Sequence, residues 1–88
     1  MDAEFREIAE DLRHGCEIEF AYGGRLYSVT NSRGYWNFCT GDELIARLCA
    51  FDDKEGLVER VAACRIDGVP VPDIFDKCLY DANSLWIS

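Results

Sequence analysis

Two consecutive glycines, Gly23 and Gly24, separate Glu17-Ile18-Glu19-Phe20-Ala21-Tyr22 from Arg25-Leu26-Tyr27-Ser28-Val29-Thr30. A two-residue Gly-Gly loop supplies both positive φ angles of a type I′ turn without steric cost, so the two runs form an antiparallel hairpin. The turn sets the register: Tyr22 lies opposite Arg25, Phe20 opposite Tyr27 and Ile18 opposite Val29. Side chains alternate across a strand, so Cys16, Ile18, Phe20, Tyr22, Tyr27 and Val29 share a buried face, and Glu17, Glu19, Ser28 and Thr30 share a wet one.

The rest of the chain is organised around that hairpin. Asp2 to His14 has an apolar stripe at Phe5, Ile8, Ala9 and Leu12 and acidic flanks, which predicts an amphipathic helix. Asp2 can cap it, and Gly15 suits the left-handed position after its end. Asn31-Ser32-Arg33-Gly34 is turn chemistry, and Tyr35-Trp36-Asn37-Phe38-Cys39 is a third strand that continues the meander. Trp36 and Phe38 point to one side and Tyr35 to the other; the larger apolar pair belongs to the core, which leaves Tyr35 on the surface beside Arg25 or Arg33.

Thr40-Gly41-Asp42-Glu43 has the spacing of a helix capping box, and Leu44, Ile45, Leu48, Cys49 and Phe51 follow at helical intervals, which predicts a second helix. Asp52-Asp53 offers caps to a third helix around Leu57 to Ala63. Arg65-Ile66-Asp67-Gly68-Val69 reads as a short extended piece with a turn, Pro72 opens a short helix through Ile74, Phe75 and Cys78, and Leu85-Trp86-Ile87 is a candidate last strand. The expected fold is α+β: a three-stranded antiparallel meander, with room for a fourth C-terminal strand, and three to four helices packed on one face, all within one domain over residues 1–88.

Glu17-Ile18-Glu19-Phe20, followed by Tyr22-x-Gly24-x-x-Tyr27-Ser28 and by Ile66-Asp67-Gly68 with Ile74 downstream, resembles a loose group of small, uncharacterised bacterial proteins. The resemblance implies a bacterial or mobile-element origin and brings no activity with it. The chain is also similar, in size, acidity and α+β pattern, to small phage anti-CRISPR inhibitors, which implies an inhibitor of a nucleic-acid-binding host protein.

Charge narrows the function classes. The net charge is -8, with the acids concentrated before Gly23 and only Arg25 and Arg33 charged between Gly23 and Thr40. Such a field repels nucleic acid and favours a basic protein partner. The apolar runs are far too short for a membrane span, and the acidic N-terminus is unlike a signal peptide, so a cytoplasmic location is expected. Cys16, Cys39, Cys49, Cys64 and Cys78 match no zinc or redox spacing and read as small hydrophobes, so no metal or cofactor is expected. His14 and Cys16 are the one local thiol and base, but His14 falls in the last helical turn and Cys16 begins the buried strand face, where desolvation is expected to disfavour the thiolate. The expected role is therefore a non-catalytic acidic interaction module, with an immunity-type protein against a basic toxin and a small thiol-dependent enzyme as alternatives. Its expected contact residues are Glu4, Glu7, Glu10 and Asp11 on the first helix and Arg25, Arg33 and Tyr35 around the aromatic strand, and self-association is open to it.

Overall fold

The computed structural model describes residues 3–88. The elements run α1 (Phe5–Arg13), β1 (Ile18–Tyr22), β2 (Arg25–Ser32), β3 (Tyr35–Thr40), β4 (Glu43–Ala50), α2 (Lys54–Ala63), β5 (Arg65–Ile66), β6 (Val69–Pro70), α3 (Val71–Asp76) and β7 (Asp81–Ile87). Five strands form one antiparallel sheet in the order β4-β3-β2-β1-β7, and β5-β6 is a separate two-stranded hairpin. The fold is α+β, with three helices among the described residues.

The central hairpin follows the glycine argument. Gly23 and Gly24 have φ +59 and +80, and Tyr22 pairs with Arg25, Phe20 with Tyr27 and Ile18 with Val29. Arg33 and Gly34, also at positive φ, make the next two-residue turn, and β3 adds through pairs such as Val29 with Phe38. Ile18, Phe20, Tyr27, Val29, Trp36 and Phe38 are buried on one side of the sheet. The helices close that side: Ile8 and Leu12 of α1, Leu57 and Val61 of α2, and Val71, Ile74 and Phe75 of α3 join the same core. Phe75 lies edge-on to Phe20 at 4.9 Å, and Tyr80 sits 4.8 Å from Phe75.

The helix ends are set locally. Glu4, not Asp2, occupies the N-cap position of α1; Asp2 lies outside the described residues. After Arg13 the chain closes a Schellman motif, in which Gly15 N–H donates to Leu12 O at 2.9 Å and Cys16 N–H to Asp11 O at 3.0 Å, with Gly15 at φ +86. Asp53 caps α2 by accepting from Gly56 N–H at 2.9 Å, and a Cβ at Gly56 would collide with that carboxylate. Pro72 is the second residue of α3, which ends at Asp76, so Cys78 lies beyond it.

The largest departure from the sequence expectation is β4. The segment read as a capped helix is a strand: Gly41-Asp42 is a hairpin turn, and Thr40 Oγ1 donates to Leu26 O at 2.9 Å instead of capping anything. β4 pairs with β3 through Cys39–Leu44, Phe38–Ala46, Asn37–Arg47 and Trp36–Cys49, with register shifts that leave Ile45 and Leu48 as extra residues. Two bulges in eight residues break the period of 2, so the apolar spacing imitates a helical stripe. The unsatisfied outer edge of β3 is what the strand answers; tertiary pairing overrides the local helix preference.

The C-terminal strand is present and longer than expected. β7 pairs with β1 through Ile18–Ile87 and Glu19–Trp86, then resumes at Ala21–Asp81 after an irregular stretch. Ser84 bridges that stretch: its Oγ accepts from Ala21 N–H at 2.7 Å and donates to Asp81 O at 2.5 Å. No helix among the described residues is long and apolar enough to cross a membrane.

Candidate functional site

The acids of α1 divide into two kinds. Glu4 pairs with Arg6 at 3.1 Å and Glu10 with Arg13 at 3.3 Å, while Arg13 also reaches Glu55 of α2 at 3.0 Å. Glu7 and Asp11 have no basic partner among the described residues; Glu7 only accepts a long contact of 3.4 Å from Glu4 N–H. They lie one turn apart on the same side of α1, an arrangement of like charges that slightly weakens a helix.

That side faces β7. Glu7, Asp11 and Ala3 form one wall of a groove of about 480 Å³, and Ala82, Leu85, Trp86 and Ile87 of β7 form the other. The size is within the range of ligand-binding clefts. Two bonds tie the N-terminal end of α1 to the end of α3 and to the residue before β7: Ala3 N–H donates to Tyr80 Oη at 2.9 Å and Phe5 N–H to Asp76 Oδ1 at 2.8 Å. Uncompensated carboxylates therefore overlook an apolar strip on an edge strand. Trp86 is 58% exposed.

Among the described residues, all three helices pack on one face of the sheet and none lies on the other. The pairings align Trp86, Glu19, Ser28, Cys39 and Leu44 in one row across all five strands. Leu26, Leu44 and Tyr35 are exposed there. Tyr35 lies on the surface and Trp36 and Phe38 in the core, as their alternation requires. The cation beside Tyr35 is Arg47, not Arg25 or Arg33: its guanidinium sits 4.3 Å from the ring centre, placed there because β4 is a strand next to β3. Arg25 opens β2 and Arg33 lies in the turn that follows it, the length of the strand away at roughly 3.3 Å per residue, so they make no common positive patch. Arg25 instead lines a smaller cleft with Glu43, Arg65 and Asp67.

We expect Tyr35→Ala to fold normally, losing at most the exposed cation–π contact of about 0.5–1 kcal/mol, and to weaken partner binding or self-association. Urea melts with sedimentation of the variant check both halves; a collapse of stability would mean that the ring is buried.

Two of the thiols, Cys49 and Cys64, are held toward the protonated form. Burial pushes the Cys64 thiol up, and burial together with the Asp53 carboxylate pushes Cys49 up. Their Sγ atoms donate to Arg60 O at 3.2 Å and Asp53 O at 3.5 Å. His14 Nδ1 is 2.8 Å from Glu10 O at the end of α1, and no hydrogen bond joins it to Cys16 among the described residues. Among the described residues, no three His, Cys, Asp or Glu side chains gather as a cation site.

No family model, curated protein or solved structure matches this chain. The functional reading therefore rests on the chain's own geometry.

The groove was hidden from the sequence because its walls are some seventy residues apart. Two signals pointed to it: the i, i+4 spacing of Glu7 and Asp11, which puts both on one side of a helix, and a tryptophan in the last strand.

Proposed function

We propose that this chain is a non-catalytic, acidic protein-interaction module that binds a basic protein surface, as a phage- or mobile-element-borne inhibitor of a nucleic-acid-binding host protein would. The observation that carries the reading is the groove of α1 and β7, where Glu7 and Asp11 lack basic partners among the described residues and stand over apolar residues of β7. A protein that binds nucleic acid presents the lysine and arginine field that such a face complements. The net charge of -8 adds long-range attraction, which raises association rates by about 10- to 1,000-fold.

The test is affinity capture with mass spectrometry, using the native chain and a variant combining Glu4→Lys, Glu7→Lys, Glu10→Lys and Asp11→Lys. The reversals remove the reciprocal caps of Glu4 and Glu7 at the start of α1, so the variant should lose about 0.5–2 kcal/mol for the cap and stay folded. The native chain should enrich a basic protein that the variant and high salt both release. Retention of the same partner by the folded variant would overturn the reading, and loss of the whole fold would show that the face is structural. The captured protein's own activity separates an inhibitor of a host nucleic-acid-binding protein from an immunity-type protein that neutralises a basic toxin.

A further inference from the structure

The edge of the sheet along the groove has its own chemistry. β7 pairs with β1 on one side and, among the described residues, with no strand on the other. Ser88 N–H donates to Glu17 O at 3.0 Å, so by antiparallel alternation Ser88 and Trp86 direct their backbone groups toward β1, whereas Leu85 and Ile87 direct theirs outward. Those outward N–H and C=O groups form a short template for another strand. The irregular stretch bridged by Ser84 ends the template on its N-terminal side.

We propose that Leu85 to Ile87 receive an extended basic segment of a partner protein as an added strand, with its arginine or lysine side chains paired to Glu7 and Asp11. The proposal rests on the acidic-module reading and deepens it by naming what the partner presents. An added strand projects its side chains alternately to the two sheet faces. On the helix side they enter the groove under Glu7 and Asp11, and on the open side they meet Trp86, which shares that face with Glu19. The segment recognised is therefore one in which basic residues alternate with apolar ones.

Charge complementarity selects this occupant over a second copy of the chain. Two-fold pairing of one β7 with another would set both copies of Glu7 and Asp11 along the same seam, between two chains that each carry -8. Like charges so placed repel, and a basic strand relieves the repulsion already present between Glu7 and Asp11.

The probe is a capped hexapeptide of alternating arginine and valine, titrated into isotopically labelled protein and followed by backbone amide resonances. The Leu85 and Ile87 amides should shift and become protected from exchange. Combining Glu7→Gln with Asp11→Asn should weaken binding about tenfold, the sum of two modest charge pairs. Combining Glu4→Gln with Glu10→Gln makes the same change in net charge and should cost less than about twofold, because those carboxylates are already paired. A peptide N-methylated at the positions that would bond the edge should not bind. Equal losses in the two double variants, undiminished binding of the methylated peptide, or no binding at all would each overturn strand addition. Capture of a basic protein through the wider α1 face is measured separately, so a failure of strand addition is distinguishable from a failure of the acidic-module reading.

Discussion

Trp36→Ala is expected to lower the unfolding free energy by about 3–5 kcal/mol, a large share of what so small a fold has. Trp36 is wholly buried, its indole Nε1–H donates to Phe51 O at 3.0 Å, and its ring lies parallel to Phe51 at 5.8 Å. Truncation removes the ring from the core and also strips the bond that fastens the end of β4 to β3. Trp36→Phe separates the two losses, because it keeps most of the ring while deleting the donor, and should cost about 1 kcal/mol from the hydrogen bond. Urea melts of both variants beside Tyr35→Ala give the ranking. If Tyr35→Ala were the most damaging, the two faces of β3 would be exchanged and Trp36 would become the contact residue.

The second large effect comes from the turn between β1 and β2. Replacing Gly23 and Gly24 together by valine should cost about 1–3 kcal/mol per strained residue. Nothing lies within 4 Å of a Cβ built at either position, so the loss would arise from forcing β-branched residues to φ +59 and +80 and not from a clash. Gly23→Asn alone provides the contrast, since asparagine tolerates positive φ and Asn-Gly suits this turn. Thermal melts of the two variants check the difference. Native stability in the double valine variant would refute the type I′ turn and with it the cross-strand register.

What could be read from the residues depended on whether local chemistry or distant pairing decided the outcome. The hairpin of β1 and β2 was legible because the glycine pair and the strict alternation of Ile18, Phe20, Tyr27 and Val29 agree on one register. The end of α1 was legible for the same reason, at Gly15. β4 was misread because Ile45 and Leu48 sit in bulges, and bulges are set by the partner strand, which the sequence of β4 does not contain. The start of β7 was missed because Asp81-Ala82-Asn83-Ser84 carries no apolar alternation and is held through the Ser84 hydroxyl. The acidic stripe of α1 was visible, but which acids are neutralised depends on rotamers and neighbours. Trp86 was visible as a strand residue, and only the topology makes it part of an edge strand that borders Glu7 and Asp11.

The topology also imposes an order of assembly. β1 to β4 join through consecutive two-residue turns, so each pairing closes only a short loop and forms early. β7 must instead find β1 across more than half of the chain, and its loop-closure entropy is recovered only once α2 and α3 have packed. Its ladder with β1 is interrupted between Asp81 and Trp86, where the Ser84 hydroxyl bridges to Ala21 and Asn83 N–H donates to Asp81 Oδ1 at 3.0 Å. The strand that borders the groove thus closes the longest loop of the five-stranded sheet. A partner bound along that strand would stabilise the folded state by mass action, and would do so at the ladder whose two strands lie farthest apart in the chain.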